Sequence, residues 1–200
     1  MAADLEFQPT QTPQITTGDW TTVNDAFKTT LPDANYPYPN GAQNPLGAAY
    51  TMRDSSGRIK KIRYVRLAGT AAYNVNSITV PGIVYWKDNT FGVVTPTMSE
   101  CVSTKANCEA GFLVNPNATN GNFVFIQVGG YLGASSSPGV SPPVPASTAV
   151  DDSLYGATGA FTMTRDAAGT ASKYRPAAFA LQAVSGGLAD IFVVLESMNN

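Results

Sequence analysis

The chain is 200 residues long, enough for one large domain or two small ones, and such a chain buries roughly 70 % of its unfolded surface without help from disulfides. Only 13 % of its residues are charged, while Gly numbers 18 and Pro 14; this turn-rich profile suits an all-β protein and excludes a mainly helical one, whose exposed faces would carry more Glu, Lys and Leu. The net charge of −2 supplies no general basic face for nucleic acid, and no apolar run is long enough for a membrane-spanning helix.

Residues 1–46 contain Pro9, Pro13, Pro32, Pro37, Pro39 and Pro45. Proline lacks an N–H and breaks helices and central strands, so this stretch predicts an extended Pro-rich N-terminal arm. Trp20, Phe27, Tyr36 and Tyr38 are spread along it. Aromatics on an arm need a surface, so the arm is expected to lie on its own domain or on a neighbour. Trp20, Tyr36 and Tyr38 are candidate partner-binding residues. The first twenty residues show neither the basic start nor the apolar stretch of a secretory signal, so synthesis in the cytosol is expected.

A first β unit is expected over 47–132. GAAYTMRD and RIKKIRYVRLAG flank a turn at Ser55-Ser56-Gly57, and the partial alternation from Ile62 to Leu67 predicts a strand with one polar face. Arg58, Lys60, Lys61, Arg63 and Arg66 crowd this strand. Successive side chains alternate, so Lys61 and Arg63 share a face with Val65 and Leu67. Lys61 and Arg63 are the candidate contacts to an acidic partner surface; an ordinary solvated face is the alternative. Further on, ITVPGIVYW, VVTPT, AGFLV and NFVFIQVGG are short β-branched and aromatic runs divided by Gly, Asn, Asp and Pro. Asn120-Gly121 is the clearest hairpin signal.

Residues 133–147, GASSSPGVSPPVPAS, read as a Gly/Ser/Pro linker loop with too little apolar surface to offset its ordering entropy. A second β unit follows over 148–200, and it looks like a degraded copy of the first. Tyr85 aligns with Tyr155, Thr95 with Thr164, Phe112 with Phe179, Gly121 with Gly187, and Phe125 with Phe192, at offsets of about 66 to 70. The alignment makes AFALQA a strand although it could be helical, and ADIFVVLES a strong buried strand. The expectation is a β-barrel or β-sandwich built from two similar strand sets, with 47–200 packing as one domain.

Chemistry-bearing constellations are sparse. There is no histidine, which removes Ser-His-Asp and Cys-His nucleophiles and the usual zinc ligands. Asp151-Asp152 is the adjacent acidic pair; alternation would splay it, so a turn-capping role is expected there. Cys101 and Cys108 do not have metal-ligand spacing, and can be two separate thiols or a small disulfide loop. Phosphate-cradling glycine motifs are absent. No enzyme activity, cofactor or metal is therefore expected.

The run V-D-D-S-L-Y, then A-F-A-L-Q-A, then S-G-G-L-A-D-I-F-V-V-L resembles tailed-phage capsid decoration proteins, also called cement or head-stabilising proteins. Val150, Leu154 and Tyr155 fit that family's "V-x-x-G-D-x-L-Y" step. Ala178, Ala180, Leu181 and Ala183 fit its "G-x-A-L-x-A" strand, and Gly187, Ile191, Val193 and Leu195 its closing strand. Asp151 stands where the family has Gly, and Ala178 where its second motif begins with Gly. The stretch from about residue 45 resembles the front half of larger phage structural proteins, with an "L-G" opening, a charged strand and a "V-V-T" strand.

The resemblance implies a β lobe on the outside of a capsid shell, commonly as a trimer. The leading expectation is thus a virion structural protein, made in the host cytoplasm, that decorates and stabilises an icosahedral capsid. Its partners would be the major capsid protein and other copies of itself, as a homotrimer, with no nucleic acid and no membrane, and the arm would act as a clamp. The alternative is a glycan-binding fibre or adhesin module using Trp20, Trp86 and the tyrosines as stacking platforms.

Overall fold

The computed structural model describes residues 46–53, 57–68, 81–87, 92–101, 108–114, 121, 123–135, 141–158, 163–166 and 175–195. The arm, with Trp20, Tyr36 and Tyr38, lies outside the described residues. The described chain is all-β, with one turn of 3-10 helix at Met98–Glu100. Its strands are β1 (Ala49–Arg53), β2 (Ile59–Leu67), β3 (Gly82–Trp86), β4 (Val93–Thr95), β5 (Glu109–Leu113), β6 (Phe123–Leu132), β7 (Ser153–Gly156), β8 (Met163–Asp166), β9 (Ala178–Ala180) and β10 (Ile191–Val193). No helix among the described residues is long and apolar enough to cross a membrane.

All ten strands form one sheet in the order β1-β2-β4-β3-β5-β6-β10-β9-β7-β8, and a further β2–β6 pairing closes β2, β4, β3, β5 and β6 into a five-stranded barrel. The closing pair runs antiparallel from Lys60↔Gly130 to Arg66↔Phe123. The β2–β4 pair, Arg66↔Val93 and Leu67↔Val94, is parallel. The β5–β6 hairpin pairs Phe112↔Gln127 and Leu113↔Ile126. Between these two strands, Gly121 has φ of 90° and donates its N–H to the Leu67 carbonyl at 2.7 Å.

Alternation sorts the apolar side chains into two cores. The barrel strands contribute Val65, Leu67, Val84, Trp86, Val94, Leu113, Val124 and Ile126 to a cluster drawn from the five barrel strands alone, which fills the lumen. The opposite faces contribute Ile62, Tyr64, Ile83, Tyr85, Phe112, Phe123 and Phe125, which pack on Leu154, Ala178, Ala180, Ile191, Val193 and Leu195. The Tyr64 and Phe123 rings stack with centroids 5.9 Å apart, and Tyr64 tilts on Phe125 at 5.0 Å. β7, β9 and β10 therefore cover the outside of the barrel.

The two strand sets share one plan. The order β4-β3-β5-β6 recurs as β8-β7-β9-β10, antiparallel throughout. Three aligned pairs occupy matching positions: Tyr85 pairs with Thr95 and Tyr155 with Thr164, and Ile83 pairs with Phe112 where Ser153 pairs with Phe179. Phe125 and Phe192 do not match, because Phe179 pairs with Phe192 where Phe112 pairs with Gln127. The sets join through their last strands, by Gly130↔Val193, Tyr131↔Phe192 and Leu132↔Ile191.

This junction requires a local device, because β6 already has β2 and β5 on its two edges. A register shift opposite Lys61/Ile62 and a φ of 90° at Gly130 bend β6 there. A Cβ at Gly130 would collide with the Ile59 carbonyl. The buried Gln127 amide nitrogen lies 3.2, 3.1 and 2.9 Å from the carbonyls of Gly129, Gly130 and Tyr131, so its two N–H groups serve the bend with one shared between two acceptors, while its Oε1 has no partner among the described residues.

Three expectations are corrected. β2 has no polar face: Ile62 and Tyr64 are buried on one side and Val65 and Leu67 on the other, because the strand lies between the two cores. Even Lys60 is 0 % exposed. The Gly/Ser/Pro stretch is not a free linker in its described second half. Ser141 and Pro142 are buried, Val144 donates to the Gly187 carbonyl at 2.9 Å, and the Pro142 carbonyl accepts from Ala189 at 3.2 Å. Proline keeps its acceptor, so a Pro-rich segment can still line a neighbouring chain. The closing strand is three residues long and buried on one side, with Phe192 45 % exposed. AFALQA does supply a strand, β9.

The Asp151-Asp152 pair caps a turn. The carboxylate of Asp152 accepts from the Ala149 N–H at 2.8 Å and pairs with Arg165 at 2.9 Å. Asp151 has φ of 66°, the left-handed conformation that glycine adopts without strain. We predict that Asp151→Gly is tolerated, and that Asp151→Val is less stable than Asp151→Gly by about 1–2 kcal/mol. Urea denaturation of the two variants checks this; equal midpoints would contradict it.

Candidate functional site

Where β6 leaves the barrel for β10, a groove of about 790 Å³ opens beside the barrel mouth. Arg53 reaches it from β1, Arg58, Ile59 and Lys61 from the start of β2, Gly129–Tyr131 from the bend of β6, and Phe192–Val194 and Arg175 from the second strand set. The lumen-facing row of β2 leads into it. Leu67 and Val65 are buried in the lumen, Arg63 and Lys61 are half-buried, and Ile59 at the mouth is 51 % exposed.

Backbone and side chains fix this wall. Arg53 donates to the Gly57 carbonyl at 2.9 Å, closing the β1–β2 turn. The stem of Lys61 lies over Gly129, where an added Cβ would sit 3.3 Å from the Lys61 Cβ. The guanidinium of Arg58 stacks 3.8 Å from the centre of the Tyr131 ring and donates to the Ser135 hydroxyl at 3.2 Å. The Tyr131 hydroxyl donates to Asp190, which also accepts from the Ser141 hydroxyl and, at 3.0 Å, from the Ala134 N–H. Gly133 leaves the room: a Cβ there would overlap the Asp190 carboxylate. Burial alone would raise the pKa of Asp190, but the bonds from Ser141, Tyr131 and Ala134 and the charge of Arg58 outweigh it and hold the carboxyl below its ordinary value.

An aromatic row borders the groove. Tyr131 on β6 pairs with Phe192 on β10, which pairs with Phe179 on β9. Phe192 and Phe179 are 45 % and 38 % exposed. Cations next to flat apolar side chains suit a ligand that carries negative charge together with apolar groups.

A second polar cluster ties the barrel to β7. The buried carboxylate of Glu109 accepts from the Gly156 N–H at 3.1 Å, and the Tyr85 hydroxyl donates to the Ala157 carbonyl at 3.2 Å. Cys101 and Cys108 are buried free thiols nearby. Burial, the neighbouring Cys101 and the charge of Glu109 push the Cys108 thiol well up; burial and Glu109 do the same to the Tyr85 hydroxyl. Among the described residues, no three Cys, Asp or Glu side chains gather closely enough to hold a metal ion.

Of the candidate partner-binding residues, Lys61 lies in the groove. Arg63 sits deeper, half-buried, with its guanidinium 5.7 Å from the Trp86 ring centre. Barrel closure turns their shared face toward the lumen, so the expected outward Lys61/Arg63 patch is not what the fold presents. Trp86 is 3 % exposed and cannot serve as the stacking platform that the glycan-binding alternative needs. Trp20, Tyr36 and Tyr38 lie outside the described residues. The sequence reading missed Arg53, Tyr131, Arg175, Asp190 and Phe192. The signal available for Tyr131 was its place after Gly129-Gly130, a glycine pair inside a strand, which marks a bend.

No family model matches the chain, and no curated protein or solved structure shows significant similarity to it.

The depressed pKa of Asp190 links stability to pH. A carboxyl with a lower pKa folded than unfolded stabilises above the unfolded value, and that contribution is lost as pH falls through the folded value. Asp190→Asn should therefore cost about 1 kcal/mol at neutral pH, the low figure reflecting the partly solvated site. The difference from wild type should shrink below about pH 4. Urea midpoints at pH 7 and pH 3 measure it; a cost that is the same at both pH values would contradict it.

Proposed function

We propose that this chain is a virion structural protein that decorates and stabilises an icosahedral capsid by binding the outer surface of the shell of major capsid protein. The observation that carries the reading is the correspondence between the family-like run and the second strand set. Leu154, Ala178, Ala180, Ile191, Val193 and Leu195, which fit the decoration-protein pattern, bury the set against the barrel, whereas Val150 and Leu181 of the same pattern are exposed. The main departure falls at Asp151, whose φ of 66° meets the backbone demand that the family's glycine would meet.

Decoration asks for no reaction. It asks for a rigid lobe, exposed strand edges or arms that pair with a neighbour, and repetition over many sites, which turns weak contacts into long residence. Strands β1 and β8 end the sheet and offer such edges. The homotrimer expected from the resemblance would place three lobes round a three-fold position, and closed symmetry would limit uncontrolled edge pairing.

The test uses particles from the source that encodes the chain. Purified chain is added to shells stripped of accessory proteins, and the mixture is sedimented. We expect saturable co-sedimentation, cryo-EM density on the outer surface at regular sites, and native mass spectrometry of the released protein giving trimers. A chain that stays at the top of the gradient, and is missing by mass spectrometry from authentic particles, would overturn the reading.

A further inference from the structure

The charge of the chain is divided unevenly. Residues 1–45 hold Asp4, Glu6, Asp19, Asp25 and Asp33 against one cation, Lys28, a net −4. Residues 46–200 hold eleven Lys and Arg against nine Asp and Glu, a net +2, and together the parts give the chain its −2. Arg53, Arg58, Lys61 and Arg175, four of those eleven cations, line the groove at the barrel mouth.

We propose that this groove is the docking seat for the chain's own acidic N-terminal segment, centred on Asp4-Leu5-Glu6-Phe7. That tetrapeptide alternates acidic and apolar side chains. In an extended backbone successive side chains point to opposite sides, so Asp4 and Glu6 face one wall and Leu5 and Phe7 the other. The groove has matching walls. Arg53 and Lys61 stand on the β1–β2 side, and the exposed Phe192 stands on the β10 side, with Arg175 lining the groove from the second strand set. Its volume of about 790 Å³ falls within the usual range for clefts that hold a specific ligand.

Reach and concentration favour the chain's own segment. Leu46 precedes β1, and Arg53 ends that strand at the groove, on the order of 25 Å further along. Roughly forty residues separate Phe7 from Leu46, enough to span about 35 Å even as a random coil. The covalent link supplies an effective concentration in the millimolar range, which a separate copy matches only when the protein is very concentrated. The proposal does not depend on the capsid reading, because the seat is tested on the free chain.

Hydrogen–deuterium exchange of the full-length chain at low and high salt tests it. At low salt the amides of Asp4–Phe7 should exchange about tenfold more slowly than in an isolated peptide of the same sequence, the protection a few exposed charge pairs and one buried aromatic can supply. That protection should vanish in 0.5 M salt through screening, and in the double variant Arg53→Glu/Arg175→Glu. It should return when that variant also carries Asp4→Lys/Glu6→Lys. Unchanged exchange in β2 and β6 shows that the variants remain folded. Peptide-like exchange of Asp4–Phe7 in the wild type at low salt overturns the proposal, as does protection that survives the Arg53→Glu/Arg175→Glu reversal. Protection that rises with protein concentration would assign the seat to the segment of a second copy and overturn the intramolecular assignment.

Discussion

The second strand set is attached through a bend in β6, and one buried side-chain amide spans that bend. A strand has two edges, yet β6 serves β2, β5 and β10. It does so by bending at Gly129-Gly130, where the carbonyls of Gly129, Gly130 and Tyr131 all come within reach of one side-chain amide. That amide belongs to Gln127, which reaches them from a fully buried position. Unsatisfied buried carbonyls cost on the order of 1–3 kcal/mol each, so the bend and the glutamine belong together. Before the bend β6 closes the barrel; after it, β6 starts the second strand set.

Two cores follow from this arrangement, and so does the placement of charge. Because β10 continues the sheet from β6, the second set folds over the outer face of the barrel, and the barrel strands become apolar on both sides. A strand buried on both faces has no room for a polar stripe. Of the cations on β2, Lys61 lies toward the barrel mouth, while Lys60 is fully buried and Arg66 stands near the other end of the strand. Arg63 lies over Trp86, and Lys61 and Arg58 lie beyond it in the groove. The groove lies where one set of strands ends and another begins, with Arg53, Arg58, Lys61 and Arg175 along its walls. The Arg58–Tyr131–Asp190 network makes that wall rigid by tying β2, β6 and the segment before β10 together.

Much of the architecture was legible in the sequence. Short β-branched runs between turn residues gave the strands, and the Tyr85/Tyr155 and Thr95/Thr164 matches gave the shared plan, which the cross-strand pairs reproduce. That same alignment made AFALQA a strand against its helical appearance. The β2–β6 closure was not legible, since alternation reports which side chains share a face and not which strand lies beside it. The error about β2 follows directly: alternating charges at Lys61 and Arg63 look like a solvated face, when the shared row in fact enters a lumen. The seating of Ser141–Val144 was hidden because composition counts apolar surface and ignores carbonyls that a neighbour can use. The groove was invisible for a related reason: its walls come from residues as distant as Arg53, Tyr131 and Phe192, brought together by two long-range pairings.

Native-state hydrogen exchange of Gln127→Met against wild type tests the central dependence most directly. Methionine keeps the volume of the side chain and removes its donor. If Gln127 carries the junction, amides of β9 and β10 should exchange at least about tenfold faster in the variant, with β3 and β5 much less affected. Equal acceleration throughout the sheet, or no acceleration in β9 and β10, would show that the junction holds without Gln127 and would contradict the account.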